Sequence, residues 1–257
     1  MTHPYLLRAR TPRVLAHRGL VLPDEAAAGL FDNTLTAIAA AQAVGAEYVE
    51  TDCHLTADGV VVIFHDAKLT RVTGDDRAVK DVTHDELRAI MSDRGGLITL
   101  ADALESFPAT RFNVDVKARA AAEPVGRIVA AHEDRVLLTS FDDGTRRRAL
   151  AAAARAGGVP ATSPGRSTVA RVVAELAVGA RRAAVRLIRE VDALQIPVRM
   201  GRIPVLTDRL IDAARTAGAE IHVWTINDPD EMRALVGRGV QGIVTDRADL
   251  ALRALSA

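Results

Sequence analysis

What is scarce in this sequence narrows its function before any motif is read. Cysteine occurs once, at Cys53, so no disulfide can form within the chain. Its alternation with Asp52 in a strand pattern marks it as a small buried apolar residue. Aromatic residues make up only 3% of the chain, and Trp224 is the single tryptophan. Neither sign of charge is in excess, with Lys plus Arg at 33 and Asp plus Glu at 33. That balance argues against a broad electrostatic footprint for nucleic acid or for an anionic membrane. Nowhere do about 18 uncharged apolar residues run together, and the opening MTHPYLLRARTPRV has no signal-peptide core. The expectation is a cytoplasmic protein without stable membrane insertion, whose partner is a small molecule.

What the chain does have is a repeating unit: a short apolar strand, a polar strand end, then an Ala-rich helix. Such alternation predicts βα units and a parallel sheet. At 257 residues the chain matches the roughly 250 typical of a (β/α)8 barrel, read here as one domain over 1–257. Strands are predicted at 13–16, 48–55, 60–64, 111–117, 136–141, 220–226 and 242–244. Residues 67–98 are polar and turn-rich, with a capped helix near 85–91, and read as an insertion after the third strand. Residues 157–207 offer more strand-like pieces (159–163, 193–197, 203–206) than the barrel has places, around a helix at 168–191 broken near Gly179. Arg181, Arg182, Arg186 and Arg189 there fit a solvated helix face.

Functional chemistry is densest in EYVETDCHLTADGVVVIFHD, residues 47–66. On a strand over 48–55, the even positions share a face, so Glu50, Asp52 and His54 point the same way. Two carboxylates on one spot resist joint ionisation, and a hard divalent cation is the common remedy. The apolar run 60–64 resembles a strand of a buried parallel sheet and ends in His65-Asp66. The first strand likewise ends in His17-Arg18-Gly19, a proton-transfer group beside a forked anion donor. Asn33 or Thr34 is placed to cap the helix that follows, over 35–44. RFNVDVK puts Asn113, Asp115 and Lys117 on one strand face, which offers a third carboxylate. Trp224 falls near a strand end, where an indole can wall a ligand site.

In order along the chain stand His17-Arg18-Gly19, Asp32-Asn33-Thr34, Glu50 with Asp52, residues 56–59, His65-Asp66, Asp115 with Lys117, Ser140-Phe141-Asp142, Trp224-Thr225-Ile226-Asn227 and residues 242–246. This series resembles the glycerophosphodiester phosphodiesterases across nearly the whole chain except 157–207. The resemblance implies a distorted TIM barrel that hydrolyses glycerophosphodiesters to glycerol 3-phosphate and an alcohol. It implies one divalent ion (Mg2+, Ca2+ or Mn2+) on Glu50, Asp52 and Asp115, with His17 and His65 as general base and acid and a cyclic phosphate between the two half-reactions. It further implies that Arg18 and Lys117 hold the phosphate, that Trp224 lines the glycerol side, and that Asp32, Asn33, His54 and Asp66 support these groups from behind.

Two positions depart from the family pattern. Asp115 stands where the family has Glu, shortening the reach by about 1.5 Å against ligand distances that vary by tenths of an ångström. Phe31-Asp32 stands where the family has Pro-Glu, which shifts a metal-linked or supporting carboxylate. Metal choice and rate are the properties these changes touch. Two alternatives stay open: lysophospholipase D or phospholipase-type action on lipids, and a non-catalytic barrel that binds phosphorylated ligands. A metal barrel of the amidohydrolase type is excluded because its first strand needs His-x-His, and this one carries His-Arg-Gly.

Overall fold

Alternation along residues 48–55 sends Val49 and Cys53 outward against helices and Tyr48, Glu50 and Asp52 inward. Repeated strand by strand, that rule builds a barrel. The computed structural model describes residues 2–7 and 9–255, so the outermost ends of the expected 1–257 domain lie outside the described residues. The strands are β1 (Arg13–His17), β2 (Tyr48–Leu55), β3 (Val61–Ile63), β4 (Arg111–Val116), β5 (Val136–Thr139), β6 (Ala161–Thr162), β7 (Ala193–Pro197), β8 (Arg199–Met200), β9 (Ile203–Pro204), β10 (Glu220–Trp224) and β11 (Gly242–Thr245). Eight of them run parallel in the order β6-β5-β4-β2-β1-β11-β10-β7. The two ends of this row meet where the Asp192 amide donates to the Thr162 carbonyl (2.9 Å) and the Thr162 amide donates to Asp192 Oδ2 (2.8 Å). A nearly closed TIM barrel with surrounding helices results.

Three apolar cores hold it. The largest lies between the strands and the helices, where Ile38, Leu104, Phe112 and Ile243 are all buried. A smaller core of Leu15, Tyr48, Leu137, Ala193 and Val244 fills the barrel's interior, and a 3-10 turn, Pro4–Leu6, packs Tyr5 and Leu6 into it. This plug sits at the strands' N-terminal ends, where Arg13 Nη2 donates to the Leu6 carbonyl and the Tyr48 hydroxyl to the Tyr5 carbonyl. The third core belongs to the excursion after β3, where Val62, Phe64, Leu69, Val79, Leu87 and Met91 pack together.

The run at 60–64 departs from expectation. β3 pairs antiparallel with β2, Cys53 opposite Ile63, and stands outside the row of eight. The cause is the short link: Thr56 to Val60 is a tight turn closed by the Thr56 amide on the Val60 carbonyl (3.0 Å), whereas a parallel return needs a crossover of a dozen residues or more. In the stretch left open at 157–207, β6 and β7 are the barrel strands, while β9 pairs only with β8 in a small hairpin. The break near Gly179 separates helices Arg166–Ala177 and Arg181–Ile188. The strand expected to reach 141 stops at Thr139. Of the two candidate caps, Thr34 accepts from the Ala37 amide and starts helix Leu35–Ala43, which frees Asn33 for the site.

Candidate active site

β1, β2 and β4 lie side by side, with His17 in register with Glu50, Glu50 with Asn113, and Asp52 with Asp115. Parallel neighbours in register point the same way, so the pairing itself gathers the carboxylates at the barrel mouth. They line a cavity of about 230 Å³ together with His17, Arg18, His65, Asn113, Lys117, Gln195 and Trp224. The chain bends sharply behind it. Arg18 and Asn33 are non-glycine residues at positive φ (59° and 56°), and Gly19 at φ 87° leaves no room for a Cβ, which would fall 2.5 Å from the Ala37 carbonyl carbon. Such backbone is uncommon away from functional sites.

Each imidazole is held by a carboxylate. His17 Nδ1 lies 2.6 Å from Asp246 Oδ1, and its Nε2 is 3.8 Å from Glu50 Oε2. Burial works against the charged form of His17, but the Asp246 bond and the Glu50 charge outweigh it, so its pKa is raised. His65 Nδ1 lies 2.8 Å from Asp66 Oδ1. Lys117 Nζ stands between two carboxylates, 2.7 Å from Asp52 Oδ1 and 2.7 Å from Asp115 Oδ2. Asp52 also receives Asn33 Nδ2 at 2.7 Å, and Arg18 Nε is 3.2 Å from it. Burial raises the cost of its charge, yet the Lys117 and Arg18 charges prevail and its pKa is lowered. At Glu50 the His17 and Lys117 charges do not prevail. Burial, then the neighbouring Asp52 and Asp115 charges, push it up to about 8, and burial raises Asp115 as well.

Glu50 Oε2 and Asp115 Oδ1 are buried oxygens without a hydrogen-bond partner. Unpartnered buried carboxylate oxygens call for a cation, and an all-oxygen set suits a hard one. The donor chemistry of Glu50, Asp52 and Asp115 therefore fits a divalent ion. Among the described residues no group of three or more His, Cys, Asp or Glu side chains stands ready to share an ion, and Lys117 bridges two of these three carboxylates.

The supporting residues divide. Asn33 ties Asp52 to Thr51, whose hydroxyl donates to Asn33 Oδ1 (2.8 Å). Asp66 orients His65. Both oxygens of Asp32 are taken by arginines, Oδ2 by Arg18 Nη1 (3.1 Å) and Oδ1 by Arg71 Nη2 (2.8 Å). His54 shares the β2 face but does not line the cavity: its Nε2 meets the His65 carbonyl at 3.1 Å, near the β2–β3 turn. Burial lowers its pKa.

The sequence profile of the glycerophosphoryl diester phosphodiesterase family matches residues 17–250. The chain belongs to this family. It is thereby placed among enzymes that hydrolyse phosphodiesters. A probable glycerophosphodiester phosphodiesterase 2 of Mycobacterium tuberculosis is 36% identical over 243 residues, covering 92% of this chain and 88% of that protein. The crystal structure of a glycerophosphodiester phosphodiesterase from Thermotoga maritima matches with a TM-score of 0.70 and 27% identity, covering 93% of this chain and 96% of that one. An Oleispira antarctica phosphodiesterase, solved with the product sn-glycerol-3-phosphate, has the same fold (TM-score 0.71, 21% identity, 96% and 98% covered).

Sequence reasoning gave no site role to three residues, although Asn227 and Asp246 stood in its motif series. Asp246 had a signal: β11 pairs with β1 at Ala16–Thr245, so the residue after Thr245 must stand beside His17. Asn227 follows from it, donating from Nδ2 to Asp246 Oδ2 at 2.8 Å. Arg71 had none, since nothing in the run around it separates it from the other surface arginines.

Proposed function

We propose that the chain hydrolyses glycerophosphodiesters to glycerol 3-phosphate and an alcohol, with a divalent ion held by Glu50, Asp52 and Asp115. The observation that carries this reading is the pair of imidazoles, each tied at Nδ1 to a carboxylate and both lining the cavity that holds Arg18 and Lys117. A barrel that only bound phosphate would need neither imidazole. In the first half-reaction His17 takes the proton from the glycerol hydroxyl next to the phosphorylated carbon as that oxygen attacks phosphorus. His65 gives a proton to the departing alcohol oxygen, leaving a cyclic phosphate. In the second, His65 takes a proton from water as it attacks, and His17 returns its proton to the oxygen released from the ring. Both histidines end as they began. When bound, the ion supplies positive charge that neutralises phosphate oxygens as a Lewis acid. Magnesium, calcium and manganese all suit the oxygen donors.

Arg18 spends one N–H on Asp32, and Lys117 spends two on Asp52 and Asp115. Donors remain on both for phosphate oxygens. Trp224 forms the apolar wall against the glycerol carbons, its ring 5.8 Å edge-on from Phe141.

One observation favours a second reading, lysophospholipase D-type action on lipids. Phe141 and Met200 of the cavity lining are 38% and 42% exposed, and Ile203 beside them on the β8–β9 hairpin is 56% exposed. The acyl chain that a lysolipid carries on its glycerol would find contact there, beside the Trp224 wall. The deciding experiment measures release of glycerol 3-phosphate from glycerophosphocholine and glycerophosphoethanolamine, and of choline from lysophosphatidylcholine in parallel, under EDTA and under each divalent ion, beside His17→Ala. Ion-restored turnover of the soluble diesters that His17→Ala abolishes is expected. Turnover of the lysolipid alone moves the assignment to the second reading, and no turnover with any ion overturns both.

A further inference from the structure

One side chain of the excursion at 67–98, that of Arg71, meets two carboxylates that flank the site. Arg71 sits on the short helix Thr70–Thr73 and sends its guanidinium to two carboxylates: Nε meets Asp66 Oδ2 and Nη2 meets Asp32 Oδ1 at 2.8 Å. The guanidinium carbon lies 5.3 Å from the centre of the Phe31 ring, which holds the plane of the fork. On each carboxylate the opposite oxygen faces a reacting group. Asp66 Oδ1 meets His65 Nδ1 at 2.8 Å, and Asp32 Oδ2 meets Arg18 Nη1 at 3.1 Å. The arrangement is symmetrical about Arg71.

We propose that Arg71 is a positioning residue that fixes, with one guanidinium, the carboxylate that orients His65 and the carboxylate that orients Arg18. The inference rests on the reading in which His65 transfers a proton and Arg18 holds phosphate. In the sheet these two groups are joined only indirectly: β1 and β3 each pair with β2, and not with each other. Arg18 and His65 sit at the ends of strands that do not touch as a pair, yet must act on the same phosphorus. Arg71 supplies the link from outside the sheet. Its fork fits this use because Nε and Nη2 give two divergent donors in one rigid plane, whereas an ammonium is a single point charge. The Arg71 side chain is 43% exposed, so its ion pairs add little to folding stability. Its contribution is geometry.

The test compares Arg71→Met and Arg71→Lys with the full-length parent chain under the ion conditions that support turnover. Loss of an outer partner of this kind costs about 10- to 100-fold in activity. Arg71→Met is expected to lower kcat at least about tenfold through Asp66 and to raise KM severalfold through Asp32, with the melting temperature moved by no more than about 3 °C. Arg71→Lys is expected to keep one arm and to recover kcat or KM but not both. In ring-nitrogen NMR of 15N-histidine protein, with His65→Gln to assign the signal, the parent shows the Nδ1–H tautomer at His65 and Arg71→Met shows a mixture. Kinetic constants within twofold of the parent, or an unchanged His65 tautomer, in folded Arg71→Met overturn the proposal. If Arg71→Met does not fold, parent-like kinetics in Arg71→Lys overturn it in the same way. Should the parent turn over no glycerophosphodiester, the functional reading fails, and the His65 ring signal alone then decides whether Arg71 orients that group.

Discussion

Replacing Asp246 by asparagine changes one oxygen for one NH2, yet the hydrogen bonds around it make the change severe. Asn227 is locked: its Oδ1 accepts from the Thr245 hydroxyl (3.0 Å) and the Asp246 amide (2.9 Å), so its Nδ2 must donate toward position 246 (2.8 Å). An asparagine at 246 must therefore turn its oxygen to Asn227 and its NH2 to His17, or set two donors face to face. The first choice forces His17 Nδ1 to accept, which puts the ring proton on Nε2, the nitrogen that should take a proton from substrate. General-base catalysis is worth about 10²- to 10⁴-fold, so Asp246→Asn is expected to lower kcat/KM by that range, roughly 3–5 kcal/mol. Stability should hardly change, as the Asp246 side chain is 51% exposed. Asp246→Ala leaves the tautomer free and should lose no more activity than Asp246→Asn. The same alanine variant removes the hydrogen bond that raises His17, so the acidic limb of its kcat/KM profile should move to lower pH. Glycerol 3-phosphate release across pH measures all of this. An Asp246→Asn enzyme within threefold of the parent refutes the tautomer argument.

Three further outcomes are expected. Lys117→Met strips the shared cation from Asp52 and Asp115, whose side chains are 1% and 5% exposed, and should cost about 3 kcal/mol in EDTA. Thermal melts should recover much of that on adding a divalent ion at about 100 times its Kd, worth about 2.7 kcal/mol; a melting point that no ion moves contradicts the metal assignment. Glu220, below the site, is held down to about 2: burial opposes its charge, but hydrogen bonds from Arg13 (2.7 Å) and His222 (3.0 Å) prevail. A depressed carboxylate stabilises the fold above its ordinary pKa and stops doing so as pH falls through its folded value. Parent stability should thus fall between about pH 4.5 and pH 2, and Glu220→Gln, which leaves Arg13 buried, should be less stable near neutrality and flatter over that window in urea titrations. Gly19→Ala puts a Cβ 2.5 Å from the Ala37 backbone at φ 87°, and should cost about 2–4 kcal/mol and displace Arg18; an unchanged melting point would show that this turn yields easily.

Much of this site could be read from the chain because its chemistry follows strand parity and strand order. Glu50 and Asp52 share a face by alternation, and Asp115 joins them because β4 lies beside β2 in register. His17 and His65 end apolar runs, which marks them without any knowledge of pairing. What could not be read depends on contacts between distant parts of the chain or on side-chain reach. Asp246 meets His17 across 229 residues, a contact that exists only once the barrel closes. The direction of β3 depended on a five-residue turn, which apolar content does not encode. His54 obeyed the parity rule and still left the cavity, because β2 runs on past the barrel into its pairing with β3.

The closure between β6 and β7 carries one more implication. These strands share no ladder; the main-chain bond at Thr162 and Asp192 is reinforced by side chains, with Ser163 Oγ accepting from the Gln195 amide at 3.0 Å. Pro164, Gly165, Gln195 and Pro197 beside this seam also line the cavity, on the side away from the carboxylates of β2 and β4. The barrel is thus sewn shut where no reacting group sits. Substitutions along the seam can reshape the room beside Trp224, whose strand partner is Pro197, while the opposite staves, fully laddered, keep the imidazoles in place. Divergence in substrate range within this scaffold has a built-in place to happen.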